Sequence, residues 1–483
     1  MNGFRRTDSF RQTQRMNILV ISAGLPDKRS GGLPAYMGEV IEELLARGHC
    51  VHYLNTSERQ PARSGIYHET TVREDGLVIT CFYNLNVLPD YGRGTLDPLA
   101  QVQPDPEFSE QFEAWLASIQ VDVVHLNEFI GFPAEALSAV FRRGIPAMAT
   151  VHDYYALCPT VKSMLPDGSP CDLKSTNLVC RSCCRQGSSM AEYQIGQWMQ
   201  RIRPYRGGSW LAGDIWPRLL PALRAWLWRR SSAEDYRQRR ERMLSVLGRL
   251  DLICGISNLS ADLYRQVGCL NNVVAETTYT RRTVRHEAPV CRVRAPGEPL
   301  RILVLNVRRG PKGLALLKSE LGSLSEQAGR NLRFLAWGCS PVDSPLVDNR
   351  GAYAGNQLDA ICSEADFGLV PSVWREAYGF VGAEMLSRGL PLIASRAGAM
   401  KEYITEGHDG LLFDPLKPRD LAGVLNQLAA DEVLQNRLLR GGADGWKKFN
   451  TFETHVDRLI GHYRRILEHR GQASSRLPET FLS

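Results

Sequence analysis

Two series of short apolar runs, each alternating with helix-like patterns, constrain the fold of this chain more than any other feature. The first series runs from Asn17 to about Thr150, and the second begins at Arg301 and reaches Ala394. Strands that alternate with helices are typical of a parallel sheet covered by helices. Because 483 residues are too many for one ordinary hydrophobic core, we predict an α/β protein with two doubly wound domains.

A segment in the second series carries two carboxylates at a fixed spacing. Glu376 and Glu384 stand eight positions apart around a glycine-containing turn, shortly after the apolar run that begins at Phe367. A strand, a turn and a helix in this order bring backbone N–H groups and a helix N-terminus beneath an anion, with a carboxylate at each end to accept hydrogen bonds from hydroxyls. The pattern favours a nucleotide diphosphate sugar as the ligand.

The E-x7-E spacing and the residues after it resemble a known family. With Gly389–Gly398, Glu402 and His408–Pro415, the segment is similar to the donor site of retaining GT-B glycosyltransferases, glycosyltransferase family 4, in the glycogen-synthase-like E-x7-E group. Weaker matches lie in both halves of the chain, and the stretch between about 160 and 250 matches poorly. The resemblance implies the GT-B fold, in which two Rossmann-like domains face each other across a cleft.

The resemblance also divides the chain into units. We predict a flexible N-terminal tail (1–15), an N-terminal Rossmann-like acceptor domain (16–272) with a Cys-rich and Arg/Trp-rich insert (about 155–250), a linker (273–300), a C-terminal Rossmann-like donor domain (301–452), a C-terminal helix crossing back to the first domain (453–470) and a tail (471–483).

Donor-binding roles follow from the resemblance, residue by residue. Glu384 is expected to hold the ribose hydroxyls, and Glu376 to contact hydroxyls of the transferred sugar. Gly379, Phe380 and Val381 are expected to offer backbone N–H groups to the diphosphate, because glycine lets the chain approach closely. The structural alternatives are a solvent-facing helix glutamate and a surface loop carboxylate.

A basic loop after the first strand of the second series is the expected site of charge stabilisation. Lys312 suits the developing charge on a leaving diphosphate. Family members often have Gly-Arg-Leu-x-x-x-Lys-Gly, whereas here Arg308 stands four residues before the lysine instead of five. Arg308 or Arg309 fits the arginine role, with a slight preference for Arg308, and the alternative is a solvated loop.

Two features of the first half complete the expected site. Gly31 and Gly32 follow a strand and precede a helix, where the resemblance implies a loop facing the phosphates, although a Gly pair alone is usually a turn. His152 follows a strand at the place where the family keeps a histidine near the transferred sugar, whereas a lone histidine is more often structural. No Asp-x-Asp is present to hold a divalent metal, so we expect that catalysis requires no cofactor.

Five cysteines lie close together in the insert, and Cys180-x2-Cys183 has the spacing of metal ligands. Similar cysteine-containing inserts occur in a subset of the family. The candidate ligands of a structural zinc are Cys158, Cys171, Cys180 and Cys183, with Cys184 as a spare. Reduced packing or surface thiols, and a disulfide, are the alternatives.

The insert is also rich in arginine and tryptophan. Residues 181–250 contain fourteen Arg, no Lys and five acidic residues, together with five of the nine Trp. One predicted helical face carries Leu219, Leu220, Leu223, Trp226 and Leu227. Packing of this amphipathic helix on the first domain is the favoured interpretation, and peripheral contact with an anionic membrane is the alternative. No recognised motif supports nucleic acid as a partner.

The cellular setting follows from what the sequence lacks. No apolar run reaches the ~18 residues of a membrane-spanning helix, and residues 1–15 have no apolar segment typical of a secretion signal. Twelve cysteines without such a signal favour reduced thiols. We expect a cytoplasmic protein, with peripheral contact to the inner face of the cytoplasmic membrane as an open alternative.

The resemblance thus predicts a retaining, hexosyltransferase-type glycosyltransferase. The expected reaction moves a sugar from a nucleotide-diphosphate sugar to a saccharide or lipid-linked glycan acceptor, in polysaccharide or lipopolysaccharide biosynthesis. A non-catalytic nucleotide-sugar-binding protein of the same fold, acting as a sensor or assembly partner, is the alternative.

Overall fold

A computed structural model describes residues 15–24, 32–60, 62–87, 94–173, 177–202, 222, 225–226, 228–283, 288–295, 297–308 and 310–475. The predicted α/β architecture with two parallel-sheet domains is confirmed. Gly31, Arg309, Leu219, Leu220, Leu223 and Leu227, and all but one residue of the predicted N-terminal tail, lie outside the described residues.

The first domain is built on an eight-stranded sheet. Its strands are β1 Asn17–Ile21, β2 Cys50–Glu58, β3 Tyr67–Val72, β4 Val78–Tyr83, β5 Val123–Leu126, β6 Ala147–Val151, β7 Leu252–Gly255 and β8 Val273–Ala275. They lie in the order β3-β4-β2-β1-β5-β6-β7-β8, and every pair is parallel except β3 with β4. The central strands are buried on both faces, which accounts for their continuous apolar sequences.

Seven described helices belong to this domain. They are α1 Gly32–Ala46, α2 Pro106–Ser118, α3 Ser138–Arg142, α4 Asn177–Cys183, α5 Met190–Ile202, α6 Ala233–Gly248 and α7 Asn258–Gly268. Helix α6 begins with a capping box, in which Ser232 and Asp235 each accept a hydrogen bond from the other's backbone N–H. The side chain of Arg239 on α6 is buried and donates to the carbonyl of Tyr155, so this helix fixes the start of the insert.

The second domain has a six-stranded, entirely parallel sheet. Its strands are β9 Leu300–Leu305, β10 Leu332–Trp337, β11 Val347–Gly351, β12 Phe367–Val370, β13 Leu392–Ser395 and β14 Gly410–Phe413, in the order β11-β10-β9-β12-β13-β14. The helices that follow are α8 Leu314–Leu321, α9 Glu326–Asn331, α10 Leu358–Ser363, α11 Phe380–Leu386, α12 Asp420–Ala430, α13 Glu432–Ala443 and α14 Phe452–Ser475.

Helix α14 leaves the second domain and packs on the first sheet. Its apolar face, including Val456, Leu459 and Tyr463, is buried in the same core as Ile18 of β1 and Val40 of α1. Within the described ranges, no helix is both long and apolar enough to cross a membrane.

Two predicted boundaries need correction. The linker was predicted to start at residue 273, but Val273–Ala275 forms β8, since Val273 is buried and pairs with Ile253 of β7. The last helix was predicted to end at 470, but α14 continues to Ser475. Both errors arise because neither a three-residue strand nor a polar helix end has a strong sequence signal.

Candidate functional site

A cavity of about 340 Å³ lies in the cleft between the two domains. Its first-domain wall includes Gly32, His152 and Ile256, and its second-domain wall includes Asn306, Lys312 and residues 370–381. Several of these positions come shortly after a strand of one of the parallel sheets. Ligands of open α/β sheets bind at the carboxyl ends of the strands, so this is the expected place for a site.

Glu376 and Lys312 form an ion pair on the second-domain wall. Oε1 of Glu376 accepts from Nζ of Lys312 at 2.8 Å and from Oγ of Ser372 at 2.8 Å. The carboxylate is largely buried, whereas 43% of the lysine side chain is exposed and its Nζ lies 5.5 Å from the ring centroid of Trp374. A fixed hydrogen-bond acceptor therefore stands beside a cation that can reach a phosphate.

The backbone of Glu376 is held by a second loop of the same domain. Its carbonyl accepts from the N–H of Ala399 at 2.9 Å. A Cβ atom at Gly398 would lie only 2.6 Å from the backbone nitrogen of Glu376, so this close approach requires glycine.

A glycine turn connects the loop of Glu376 to α11. Gly379 has φ of 87°, and its carbonyl accepts from the hydroxyl of Tyr403 at 2.9 Å. The first residues of α11, Phe380 and Val381, line the cavity. Across the cleft, a Cβ atom at Gly32 would lie 3.6 Å from the Phe380 ring, so the two domains approach each other here.

Glu384 lies one turn into α11 and is not among the residues lining the cavity. Only 6% of its side chain is exposed, and Oε1 lies 3.3 Å from Nη2 of Arg282, a residue of the interdomain segment between β8 and β9. Burial raises the pKa of Glu384, and the nearby charges of Arg282 and Arg388 oppose that rise. The site thus holds one carboxylate at the cavity and a second, deeper one.

His152 lies on the first-domain wall. Its Nε2 is 3.2 Å from Oδ1 of Asn127, and its ring centroid is 5.3 Å from that of Tyr36. Burial, with a smaller contribution from the charge of His455, lowers the pKa of His152 to about 3. The imidazole is therefore neutral at neutral pH and is suited to hydrogen bonding rather than to carrying a positive charge.

Arg308 is not brought to the site. Its side chain is exposed and it does not line the cavity, although Lys312 on the same loop does. Several residues that sequence reasoning did not assign also line the cavity, among them Asn306, Ser372 and Trp374. Ser372 and Trp374 stand next to the E-x7-E segment, so adjacency was the available signal.

The insert contacts the loop that carries Glu376. Nη1 of Arg375, the neighbour of Glu376, lies 3.4 Å from Oγ of Ser163 in the cysteine-rich region. The insert is itself held by Arg240 of α6, which donates to the carbonyls of Leu157 and Leu173. The cysteine-rich region therefore borders the cleft.

The insert thiols are free and mostly buried. Cys158, Cys171 and Cys180 are buried and Cys183 is half-buried. Burial raises the pKa of Cys180 to about 12 and that of Cys183 to about 11, which keeps both thiols protonated at neutral pH. Among the described residues, no three His, Cys, Asp or Glu side chains converge as metal ligands. The thiols as placed do not fit a zinc ion, and the zinc site stays a prediction.

Two Rossmann-like domains that present the carboxyl ends of their sheets to one cleft define the GT-B class of protein. The profile of Glycosyltransferase Family 4 matches residues 30–183, and that of Glycosyl transferases group 1 matches residues 300–431. Together the two matches take in more than half of the chain. The chain has the GT-B fold, and each of its two domains matches a glycosyltransferase family.

Similar curated proteins match a limited part of the chain. A D-inositol 3-phosphate glycosyltransferase of Nocardioides sp. is 29% identical over 155 residues, which are 32% of this chain and 30% of that protein. The sulfoquinovosyl transferase SQD2 of Arabidopsis thaliana is 30% identical over 166 residues, 32% of each chain. The matched segments thus span about a third of the length of these relatives.

Solved structures match nearly the whole chain at low identity. Sucrose-phosphate synthase from Thermosynechococcus elongatus has a TM-score of 0.58 at 17% identity, over 94% of this chain and 100% of that one. Anabaena HepE in complex with UDP and glucose has a TM-score of 0.54 at 12% identity, over 93% of this chain and 100% of that one. At these identities the likeness describes the fold.

Proposed function

We propose that this protein is a retaining, hexosyltransferase-type glycosyltransferase that uses a nucleotide-diphosphate sugar as donor. The observation that carries the proposal is the pairing of Glu376 with Lys312 at a cavity that Gly32 and His152 border from the other domain. A carboxylate and an ammonium at one point match the hydroxyls of a sugar and the charge of a diphosphate.

Each residue has a role in the proposed reaction. Glu376 accepts hydrogen bonds from the transferred sugar, Lys312 stabilises charge on the leaving diphosphate, and Glu384 holds the ribose. Neutral His152 contacts the sugar from the opposite wall. In a retaining reaction on one face of the sugar, the diphosphate oxygen helps to remove the acceptor proton, so the protein mainly positions groups and stabilises charge.

The structural neighbours support the choice of donor. Among them, Anabaena HepE was solved in complex with UDP-glucose, at a TM-score of 0.54. A nucleoside diphosphate bound across the same cleft of this chain would lie between α1 and α11.

For the acceptor, we propose a saccharide or a lipid-linked glycan, used in polysaccharide or lipopolysaccharide synthesis on the cytoplasmic side of a membrane. The exposed side chains of Trp198 and Trp226, in an arginine-rich part of the insert, support peripheral contact with anionic lipid.

The test is nucleotide binding followed by transfer. The thermal midpoint of the purified protein is measured with UDP, GDP, ADP, CDP and dTDP, because a ligand at a hundred times its dissociation constant adds about 2.7 kcal/mol to stability. One nucleotide should raise the midpoint, and Glu384→Ala should abolish the rise. The matching donor sugar should then be consumed by the wild type and not by Glu376→Ala. Nucleotide binding without consumption of any donor, in the presence of acceptor extracts, would support the non-catalytic alternative.

A further inference from the structure

Two consecutive arginines of the interdomain segment contact opposite domains. The guanidinium of Arg281 lies 2.8 Å from Oε2 of Glu43 on α1, and its backbone N–H donates to Glu39 on the same helix. Arg282 turns the other way, and its Nη2 donates to Oε1 of Glu384 on α11 at 3.3 Å. The first arginine therefore anchors the segment to the first domain, and the second meets the deeper carboxylate of the candidate donor site.

The Arg282 side chain is closely fitted against the second domain. A Cβ atom at Gly355 would lie 3.0 Å from Nη1 and 3.2 Å from Cδ of Arg282. The Nε atom is buried without a hydrogen-bond partner among the described residues. Although 42% of the Arg282 side chain is exposed, its Nε is enclosed and its Nη2 is bound to Glu384, so contacts with the protein restrict the guanidinium at both places.

Arg282 differs from the other polar groups around Glu384 because it contacts the carboxylate itself. The guanidinium of Arg388 donates to the backbone carbonyl of Glu384 at 2.9 Å and to Asp359 at 2.7 Å, so it acts on the carboxylate only through its charge. Tyr353 and Tyr403 also face this region, and burial raises the pKa of both phenols, which keeps them neutral. Within the described chain, Arg282 is the cation hydrogen-bonded to the Glu384 side chain.

We infer that Arg282 is a positioning residue for the donor nucleotide, which holds Glu384 as an ionised acceptor with a fixed orientation for the ribose hydroxyls. Arg282 donates to Oε1, and no residue that the structure describes donates to Oε2, so Oε2 keeps the acceptor capacity that a ribose hydroxyl requires. The inference rests on the proposed function, in which Glu384 holds the ribose.

The physical reason is the burial of the carboxylate. A buried carboxyl without a bound cation favours the protonated form, and a protonated carboxyl loses acceptor capacity. Without Arg282, the pKa of Glu384 should rise further. Nucleotide affinity, which needs the ionised form, should then be lost at a higher pH than in the wild type.

The experiment measures the affinity of the nucleoside diphosphate found in the thermal screen, by calorimetry at pH 6 and pH 8. The variants are Arg282→Gln and Arg282→Lys, with Arg281→Gln as the matched control on the neighbouring arginine. We expect Arg282→Gln to bind about tenfold more weakly at pH 6 than at pH 8, the size of one lost hydrogen bond to a charged group. Between pH 6 and pH 8, the nucleotide affinity of the wild type, of Arg282→Lys and of Arg281→Gln should change by less than about threefold.

A double-mutant cycle separates loss of the Arg282–Glu384 contact from any general effect of Arg282→Gln on folding. In a Glu384→Gln background the carboxylate is absent, so adding Arg282→Gln should cause no further pH-dependent loss of affinity. Wild-type affinity in Arg282→Gln at both pH values, or tighter binding, would overturn the inference and leave the donor site intact. If the folded wild type binds none of the five nucleotides, the proposed donor site itself fails, and the inference with it.

Discussion

At the scale of single residues, the ion pair between Lys312 and Glu376 combines two different environments. The carboxylate is buried and fixed by two donors, while the ammonium is partly exposed on a loop. Because solvent screens the exposed ammonium, this ion pair contributes little to the stability of the fold. We therefore expect the pair to matter for the proposed reaction rather than for folding. In the proposed reaction, the lysine would turn toward the diphosphate and leave the acceptor oxygen of Glu376 to a sugar hydroxyl.

Substitution of Lys312 should therefore affect turnover more than folding. We expect Lys312→Met, which keeps the length of the stem, to lower kcat of sugar transfer about 100-fold, the usual effect of removing one stabiliser of transition-state charge. The thermal midpoint without ligand should remain near the wild-type value. Lys318→Met on the exposed side of α8 is the control and should transfer at the wild-type rate. An unchanged kcat in Lys312→Met would remove the lysine from the proposed mechanism.

Sequence reasoning reached the residues of the E-x7-E segment because their motif is local. Glu376, Gly379 and Phe380 lie within a few positions of one another, so one strand-turn-helix brings them to the cavity together. Arg282 was not predicted, since it meets Glu384 from 102 positions away and an isolated arginine in a charged linker has no distinctive pattern. Arg308 was predicted from the family's arginine-lysine motif, although it stands four residues before Lys312 instead of five, and a motif does not determine which way an exposed side chain turns.

At the scale of elements, helix α14 completes the first domain. Besides its apolar face, it contributes Tyr463, whose hydroxyl is 2.8 Å from Nδ1 of His125 on β5. Nε2 of His125 is 2.8 Å from Oγ1 of Thr150 on β6. Burial lowers the pKa of His125 to about 3, with smaller contributions from the charges of His152, His455 and His462.

This histidine should make the docking of α14 sensitive to acid. Its folded pKa lies below its unfolded value of about 6.5, so the unfolded chain takes up the proton first and stability falls as pH falls from 6.5 toward 3. Between pH 7 and pH 5 the loss should be about 2 kcal/mol. The thermal midpoint of His125→Asn should be lower than that of the wild type at pH 7 but should fall less on acidification. Replacement of the exposed His68 by Asn should leave the wild-type slope, and an equal slope in His125→Asn would contradict the assignment.

The buried thiols of the cysteine-rich insert should be protected from alkylation. Because burial raises the pKa of Cys180 and Cys184 to about 12, their thiols should react slowly with iodoacetamide at pH 7.5, whereas the exposed Cys269 should react first. Peptide mass spectrometry over a time course measures the order. We expect the protection to persist in a chelator, since burial provides it. Loss of protection in the chelator would instead support the predicted zinc site.

The central parallel strands of both sheets were predictable, because strands buried on both faces read as continuous apolar runs. The edge strand Tyr67–Val72 was not, since five of its six residues are exposed and its sequence is polar. It is the antiparallel member of the first sheet, paired with β4 by a short connection. Exposure hid this strand from sequence reasoning, as shortness hid β8.

At the scale of the whole molecule, a carboxylate of the second domain caps a helix of the first. Oε1 of Glu402 accepts from the N–H of Leu259 at 2.7 Å, and Oε2 accepts from the N–H of Asn258 at 2.8 Å. These are unpaired donors at the start of α7, and the negative charge also suits the helix N-terminus. One side chain therefore connects the two walls of the cleft in the arrangement described here.

Loss of this contact should loosen the cleft. In Glu402→Ala, we expect amide exchange at Asn258 and Leu259 to quicken about fivefold, corresponding to about 1 kcal/mol for a lost helix cap. Hydrogen exchange followed by mass spectrometry measures the change, with Lys401→Ala as the exposed neighbouring control. If exchange at these two amides stays at the wild-type rate, the cap does not contribute to holding the domains together.

The return of α14 to the first sheet has a consequence for synthesis of the chain. The apolar face formed by β1 and α1 is covered by residues from Phe452 onward, more than four hundred positions after β1. As the chain leaves the ribosome, the first domain emerges with that face bare and keeps it so until the second domain has been made. The nascent protein must therefore spend most of its translation with an exposed apolar surface, which makes it a natural client for chaperones.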